Sequence, residues 1–342
     1  MTREISLGYV PLVDAAPLII ADVLGFAEEQ GLRLRLERAA NWSMLRDMLD
    51  QGQVAAAQML SVMPVARALG LGSGGSKLET PMLLSLGGQM VGVSAPVGAG
   101  LERAGHDFGF SDAAAAVQAV AALGQPLRVG VPFAHSMQAL LLGDWLAGLP
   151  SGMVELRTVA PPLMPEALAE GELDAFCVGE PWGSQAVVSA GARLLLPGTA
   201  IRPAMPEKVL ALRGGWCEAQ PDLAGRLVRA LSRAGGWLSN PRNAATAAEI
   251  VTRPSRVDVA AELVERALLG RIVTDRAGSE HVVSGFQTFG PAELMCPMPE
   301  QADWIAARLL ARAGRGGAGV ESISRAAFRA DLHAHFLRPV TA

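Results

Sequence analysis

Residues 5–59, ISLGYVPLVDAAPLIIADVLGFAEEQGLRLRLERAANWSMLRDMLDQGQVAAAQM, read as a β-α-β-α unit running into a third strand, and this stretch decides the fold. Ile5, Leu7 and Tyr9 alternate with Ser6 and Gly8, the period of a strand. Pro11 and Asp14 break that strand, and Asp14 is placed to cap the next helix. Leu18, Ile19, Val23 and Phe26 recur at helical spacing, and Gly31 ends that helix. Leu32, Leu34 and Leu36 alternate with charged residues as a second strand. Asn41 opens another helix, and Ala55–Met59 is a third, buried strand. Such alternation implies a parallel sheet with helical crossovers. Ligands of these sheets collect beyond the carboxyl ends of the strands. Pro11–Ala16 and Ala39–Trp42 are therefore expected to reach one cleft.

The same plan recurs downstream. Leu127–Val131, Met153–Val159 and Leu173–Val178 read as strands, with helices Asp112–Leu123 (Ser111 its cap), Ser136–Leu146 and Met164–Glu170. Gly87–Gly88–Gln89 interrupts an extended run where the chain passes between two lobes; Ala95–Phe110 reads as irregular. Leu194–Pro206, with three prolines, leads back to a strand at Lys208–Leu212. Helices are expected over 223–238, 244–251, 257–269, 303–313 and 324–336. The expected architecture is α/β, two-lobed, with two crossovers and a ligand cleft between the lobes. Lobe I is 1–92 with 200–342, and lobe II is 93–199.

Composition narrows the function. Half of the 342 residues are hydrophobic, 18% are charged and the net charge is −4, with no basic run, which argues against a nucleic-acid surface. Three cysteines, Cys177, Cys217 and Cys296, lack pairable spacing and read as reduced thiols. The opening MTREISLGYV moves straight into a strand, without the charged and apolar regions of a signal peptide, so the expected location is the cytoplasm. No apolar run is long enough to insert into a membrane. His281, His333 and His335 have no HExxH partner, and His333 and His335 are expected to point outward. With no GxSxG motif or P-loop either, a binding protein without cofactor or metal is expected rather than an enzyme.

Four polar residues sit where strands end or lobes join: Trp42, Gln89, His135 and Lys208. His135 falls between a strand and a helix N-terminus, where anions are favoured. Lys208 is one of two lysines in a chain that otherwise uses Arg. Together these are hydrogen-bond donors with a flat apolar wall, a set suited to a small planar oxyanion. Each also has a plainer reading: Trp42 as core, His135 as cap or core, Lys208 as a surface residue opening a strand.

The segments GYVPLVDAAPL, ANWSMLRDML, AAAQMLSVMPVA and VGEPW, in that order, resemble the nitrate- and bicarbonate-binding proteins of ABC importers. The resemblance implies a type II periplasmic-binding-protein-like fold. In that family a Trp, a Gln, a His and a Lys hold the ligand between the lobes. By motif match those places fall to Trp42 in ANWSMLRD, Gln89 in GGQMVGVS, His135 in VPFAHSMQ and Lys208 in PEKVLAL. The bicarbonate branch has an acidic residue in place of the Lys, so Lys208 implies nitrate or nitrite. Asp14, Glu180 and Trp182 are expected to support the site from behind. The chain is most similar to the cytosolic NasS-type nitrate/nitrite sensors, which implies an ANTAR-domain antiterminator as partner. The alternative is an extracytoplasmic receptor feeding an ABC permease.

Overall fold

The computed structural model describes residues 2–72, 74–316 and 320–338. The chain first lays down β1 (Arg3–Tyr9), β2 (Leu32–Arg38), β3 (Ala56–Leu60) and β4 (Leu78–Gly87). It then crosses to β5 (Gln89–Val93), β6 (Leu127–Val131), β7 (Val154–Thr158), β8 (Ala175–Gly179) and β9 (Arg193–Pro197). It returns through β10 (Pro206–Arg213), followed by the short strands β11 (Arg271–Val273), β12 (Glu280–Val282) and β13 (Gln287–Thr288). One sheet has the order β13-β4-β10-β3-β1-β2 and the other β7-β6-β8-β5-β9.

The two sheets share a construction. β1, β2 and β3 run parallel, as do β6, β7 and β8, because each pair is joined by a helix that needs a crossover. The strands by which the chain enters the second sheet and re-enters the first, β5 and β10, run the other way. β10 is antiparallel to β3 and β4, and β5 is antiparallel to β8 and β9. Both sheets are therefore mixed rather than wholly parallel. The first crossing turns at Gly87 and Gly88, whose φ values of 65° and 88° are left-handed. A Cβ on Gly87 would stand 2.4 Å from the Phe286 carbonyl oxygen, so side chains are excluded there.

The main core does not stop at the lobe boundary. Met90, Phe176, Val178 and Trp182 of the second sheet's lobe pack into one cluster with Leu7, Leu12 and Met59 of the first. A smaller cluster, including Val91, Val129, Ala175 and Leu196, fills the other side of the second sheet. The long helix Pro221–Leu238 buries Leu223, Leu227, Val228, Leu231 and Leu238, the stripe expected of one apolar face.

Several local expectations change. Asp14 caps no helix: it lies in the turn Val13–Ala15, and helix Ala16–Val23 begins without a side-chain cap. That helix stops short of Phe26, and Gly31 ends a separate turn, Glu28–Gln30. Asn41 does cap helix Trp42–Asp50, its Oδ1 accepting the Met44 N–H at 2.9 Å. Helix Ala113–Ala122 is capped by Asp112, not Ser111, through the N–H groups of Ala114 and Ala115. Ala95–Arg103 is helical; its alanines and glycines hid a half-buried face. The return segment contains β9, which ends on the first of its prolines, Pro197. The single helix expected over 324–336 is two, Val320–Ala327 and Ala330–Phe336. His333 is buried between the Pro81 and Ala292 carbonyl oxygens, each 2.8 Å from a ring nitrogen, and does not point outward. The glycine-rich loop before residue 320 lies partly outside the described residues.

Candidate functional site

The site starts at the end of β1. Beyond Tyr9 the chain turns through Pro11 and Leu12, which places Asp14 under the end of β3. Gln58, the one polar residue of the buried strand AAQML, fixes this turn. Its Oε1 accepts the Val10 N–H at 3.1 Å and its Nε2 donates to Asp14 Oδ1.

β10 supplies the charge. β10 pairs irregularly with β4 here: two steps of β10, Pro206 to Lys208, oppose one step of β4, Leu86 to Ser85, and the next step, Lys208 to Val209, opposes two, Ser85 to Leu83. In a regular strand Glu207 and Lys208 would face opposite sides of the sheet. At this irregular start of β10 they meet instead, with Lys208 Nζ 2.6 Å from Glu207 Oε1. The ammonium also lies 2.7 Å from Asp14 Oδ2, and both partners are almost wholly buried. The Trp42 ring, at the start of its helix, covers the group with its centroid 5.2 Å from Nζ.

The other lobe reaches across. Gln89, the first residue of β5, donates from Nε2 to Glu207 Oε2 at 3.1 Å. Gln138, in the first turn of helix Met137–Trp145, donates to Glu207 Oε1 at 2.7 Å. The Glu180 carbonyl accepts the Val13 N–H at 2.9 Å, and Trp182 Nε1 donates to the Pro11 carbonyl at 2.8 Å. The VGEPW loop after β8 thus docks against the turn after β1.

The structure brings Trp42, Gln89, Lys208 and Asp14 into one buried cluster. Lys208 is fully buried, which removes its reading as a surface residue. Trp42 is buried too, yet its Nε1 has no hydrogen-bond partner in the protein, unlike an ordinary core indole. His135 shares no hydrogen bond or ring contact with this group. It is half-buried, edge-on to Phe133, beside a small cavity of about 30 Å³ lined also by Arg46, Arg67 and Gly72. Glu180 and Trp182 lie at the lobe junction, bonded to the turn after β1. A cavity of about 610 Å³ near the return crossing, lined by Phe110, Pro203 and His281 among others, contains none of the cluster.

Gln58, Gln138 and Glu207 were not anticipated. The signal for two of them was present: a polar residue inside an otherwise apolar buried strand needs partners. Gln58 is that residue in AAQML, and Glu207 precedes Lys208 in PEKVLALR. Gln138 carried no such signal, because one amide in a helix is ordinary.

The electrostatics differ from a simple cationic pocket. Burial lowers the Lys208 pKa, but attraction to Asp14 and Glu207 and their hydrogen bonds outweigh it, so the net shift is upward and the group stays charged. Burial raises the Asp14 carboxyl to about 6, against the pull of Lys208. Glu180 is raised to about 7, again by burial, with the Ser184 N–H opposing. His135 is lowered, first by burial and then by Arg312. The cluster therefore sets one ammonium against two carboxylates. Among the described residues no group of three or more His, Cys, Asp or Glu is placed to hold a metal ion. None of their helices is long and apolar enough to cross a membrane.

Comparison with known proteins fits this architecture. The crystal structure of the periplasmic nitrate-binding protein NrtA from Synechocystis superposes with a TM-score of 0.88 at 23% identity, over 99% of this chain and 89% of that one. The nitrate import ATP-binding protein NrtC of Synechococcus elongatus is 32% identical over 90% of this chain but only 46% of its own length. This chain thus spans about half of such relatives. The nitrate/nitrite binding protein NrtA of Nostoc is 30% identical over 78% of this chain and 61% of its own. The model of the NMT1-like family matches residues 1–252. The fold is the two-lobed type II binding-protein fold, and the chain belongs to the NMT1-like family, with nitrate- and bicarbonate-binding proteins among its relatives.

Proposed function

We propose that this protein binds nitrate or nitrite between its two lobes, one built on each sheet. One observation carries the reading. Lys208 from one lobe, its ammonium against the Trp42 ring, and the amides of Gln89 and Gln138 from the other converge on a single planar carboxylate. Donors that hold a carboxylate in this way suit a planar oxyanion of similar size, through charge-assisted hydrogen bonds in a dry site. The relatives' names, nitrate/nitrite binding and bicarbonate-binding, support the same ligand class.

The role is capture and release by lobe closure rather than catalysis. In the finer reading the protein is a cytoplasmic sensor, and anion binding frees an ANTAR-domain antiterminator held by the anion-free form. The relatives named for nitrate import favour a second reading, delivery to an ABC permease from outside the cytoplasm. Fractionation of the native protein separates the two, together with co-purification of each partner with and without nitrate. A partner complex indifferent to nitrate and nitrite rules out the sensor.

A further inference from the structure

The donors assigned to the anion are engaged by Glu207. Its Oε1 lies 2.6 Å from Lys208 Nζ and accepts Gln138 Nε2 at 2.7 Å, and its Oε2 accepts Gln89 Nε2 at 3.1 Å. The carboxylate is planar and fully buried, and it meets Lys208 where the pairing of β10 with β4 is irregular. It is also a point where the lobes meet in polar contact, since Glu207 and Lys208 belong to one sheet and Gln89 and Gln138 to the other lobe.

We infer that Glu207 is a built-in anion: its carboxylate occupies the position of the external ligand, holds the lobes together in its absence, and must be displaced for the ligand to bind. This rests on the nitrate/nitrite reading of the cleft but adds a competitor inside the chain. Two anions cannot share one ammonium and two amide donors, least of all beside Asp14, whose Oδ2 already lies 2.7 Å from the same ammonium. The internal carboxylate therefore lowers affinity for the external anion. It also makes lobe closure in the anion-free protein a property of the sequence rather than of the ligand. Gln89 Oε1 and Gln138 Oε1 have no hydrogen-bond partner in the protein, so the only side-chain hydrogen bonds of these amides are those given to Glu207.

The test uses the full chain and the variants Glu207→Ala and Glu207→Gln, with two readouts. Small-angle scattering without added anion should show both variants more open than the unmodified protein, the alanine variant most. Calorimetric titration with sodium nitrate should show tighter binding in the alanine variant, by about tenfold or more. Weaker or unchanged nitrate binding in folded variants, or an unchanged radius of gyration, overturns the inference. If no protein binds nitrate, nitrite or bicarbonate while the alanine variant still opens, the lobe-bridging role of Glu207 stands and the nitrate reading falls instead.

Discussion

The ammonium of Lys208 lies 2.7 Å from the carboxylate of Asp14, across the ends of β10 and the turn after β1, with both side chains shut away from water. This ion pair makes Lys208 structural as well as ligand-facing. A buried charge that loses its partner costs far more than the pair contributes when intact.

Lys208→Ala is therefore not a clean binding mutant. It leaves Asp14 and Glu207 buried without a cation, and we expect it to lower stability by about 3–5 kcal/mol. Adding Glu207→Gln removes one of the stranded charges and should recover part of the loss. Urea denaturation of the single and double variants checks this. A single variant as stable as the unmodified protein contradicts the ion-pair account.

Nitrate affinity should rise as pH falls through about 6, the value to which burial raises Asp14. An ionised Asp14 repels an anion at Lys208, and a protonated one does not. Asp14→Asn should flatten the profile. His135→Gln should leave it in place, because His135 stands apart from the cluster, edge-on to Phe133. A profile abolished by His135→Gln and kept by Asp14→Asn would reassign the titrating group.

Glu180 gives a stability prediction with a defined sign. Its carboxyl is raised from 4.5 to about 7, mainly by burial. Between those values the folded protein keeps a proton that the unfolded chain has released, so stability falls as pH rises through that window. Glu180→Gln cannot ionise and escapes this loss. Its melting temperature relative to the unmodified protein should climb from about pH 4.5 to about pH 8. A difference constant across that range means that Glu180 is not held neutral.

The lobe junction can be probed through Trp182, whose indole N–H donates to the Pro11 carbonyl at 2.8 Å. Trp182→Phe keeps an aromatic ring and removes that donor. We expect a loss of about 1 kcal/mol in stability. Scattering should show a more open molecule, and an unchanged profile would place closure elsewhere.

The sequence made some of this legible, for physical reasons. Alternating Leu and Arg in β2 announced its strand by a period of two, and the short buried run of β3 by its length and its place after a helix. Trp42, Gln89 and Lys208 could be named because each is a polar or bulky residue at a strand end or a lobe crossing. The position of Glu207 was not legible. Strand alternation puts it opposite Lys208, whereas in the fold the two side chains meet at an irregular stretch of the β10–β4 pairing. Asp14 looked like a helix cap because capping depends on local spacing, whereas its pairing with Lys208 depends on chain distant in sequence. The outward reading of His333 failed in the same way, since the Pro81 and Ala292 carbonyls that hold it come from other elements.

The central claim is that the cluster under Trp42 takes a small planar oxyanion. Isothermal titration of the full chain with nitrate, nitrite, bicarbonate and chloride at one ionic strength tests it most directly, with Gln89→Ala as the companion. The account predicts saturable one-site binding of nitrate or nitrite, no binding of chloride, and loss of affinity in the variant, whose donor across the lobes is gone. Absence of saturable binding by nitrate and nitrite in a folded protein, or binding untouched by Gln89→Ala, would contradict it.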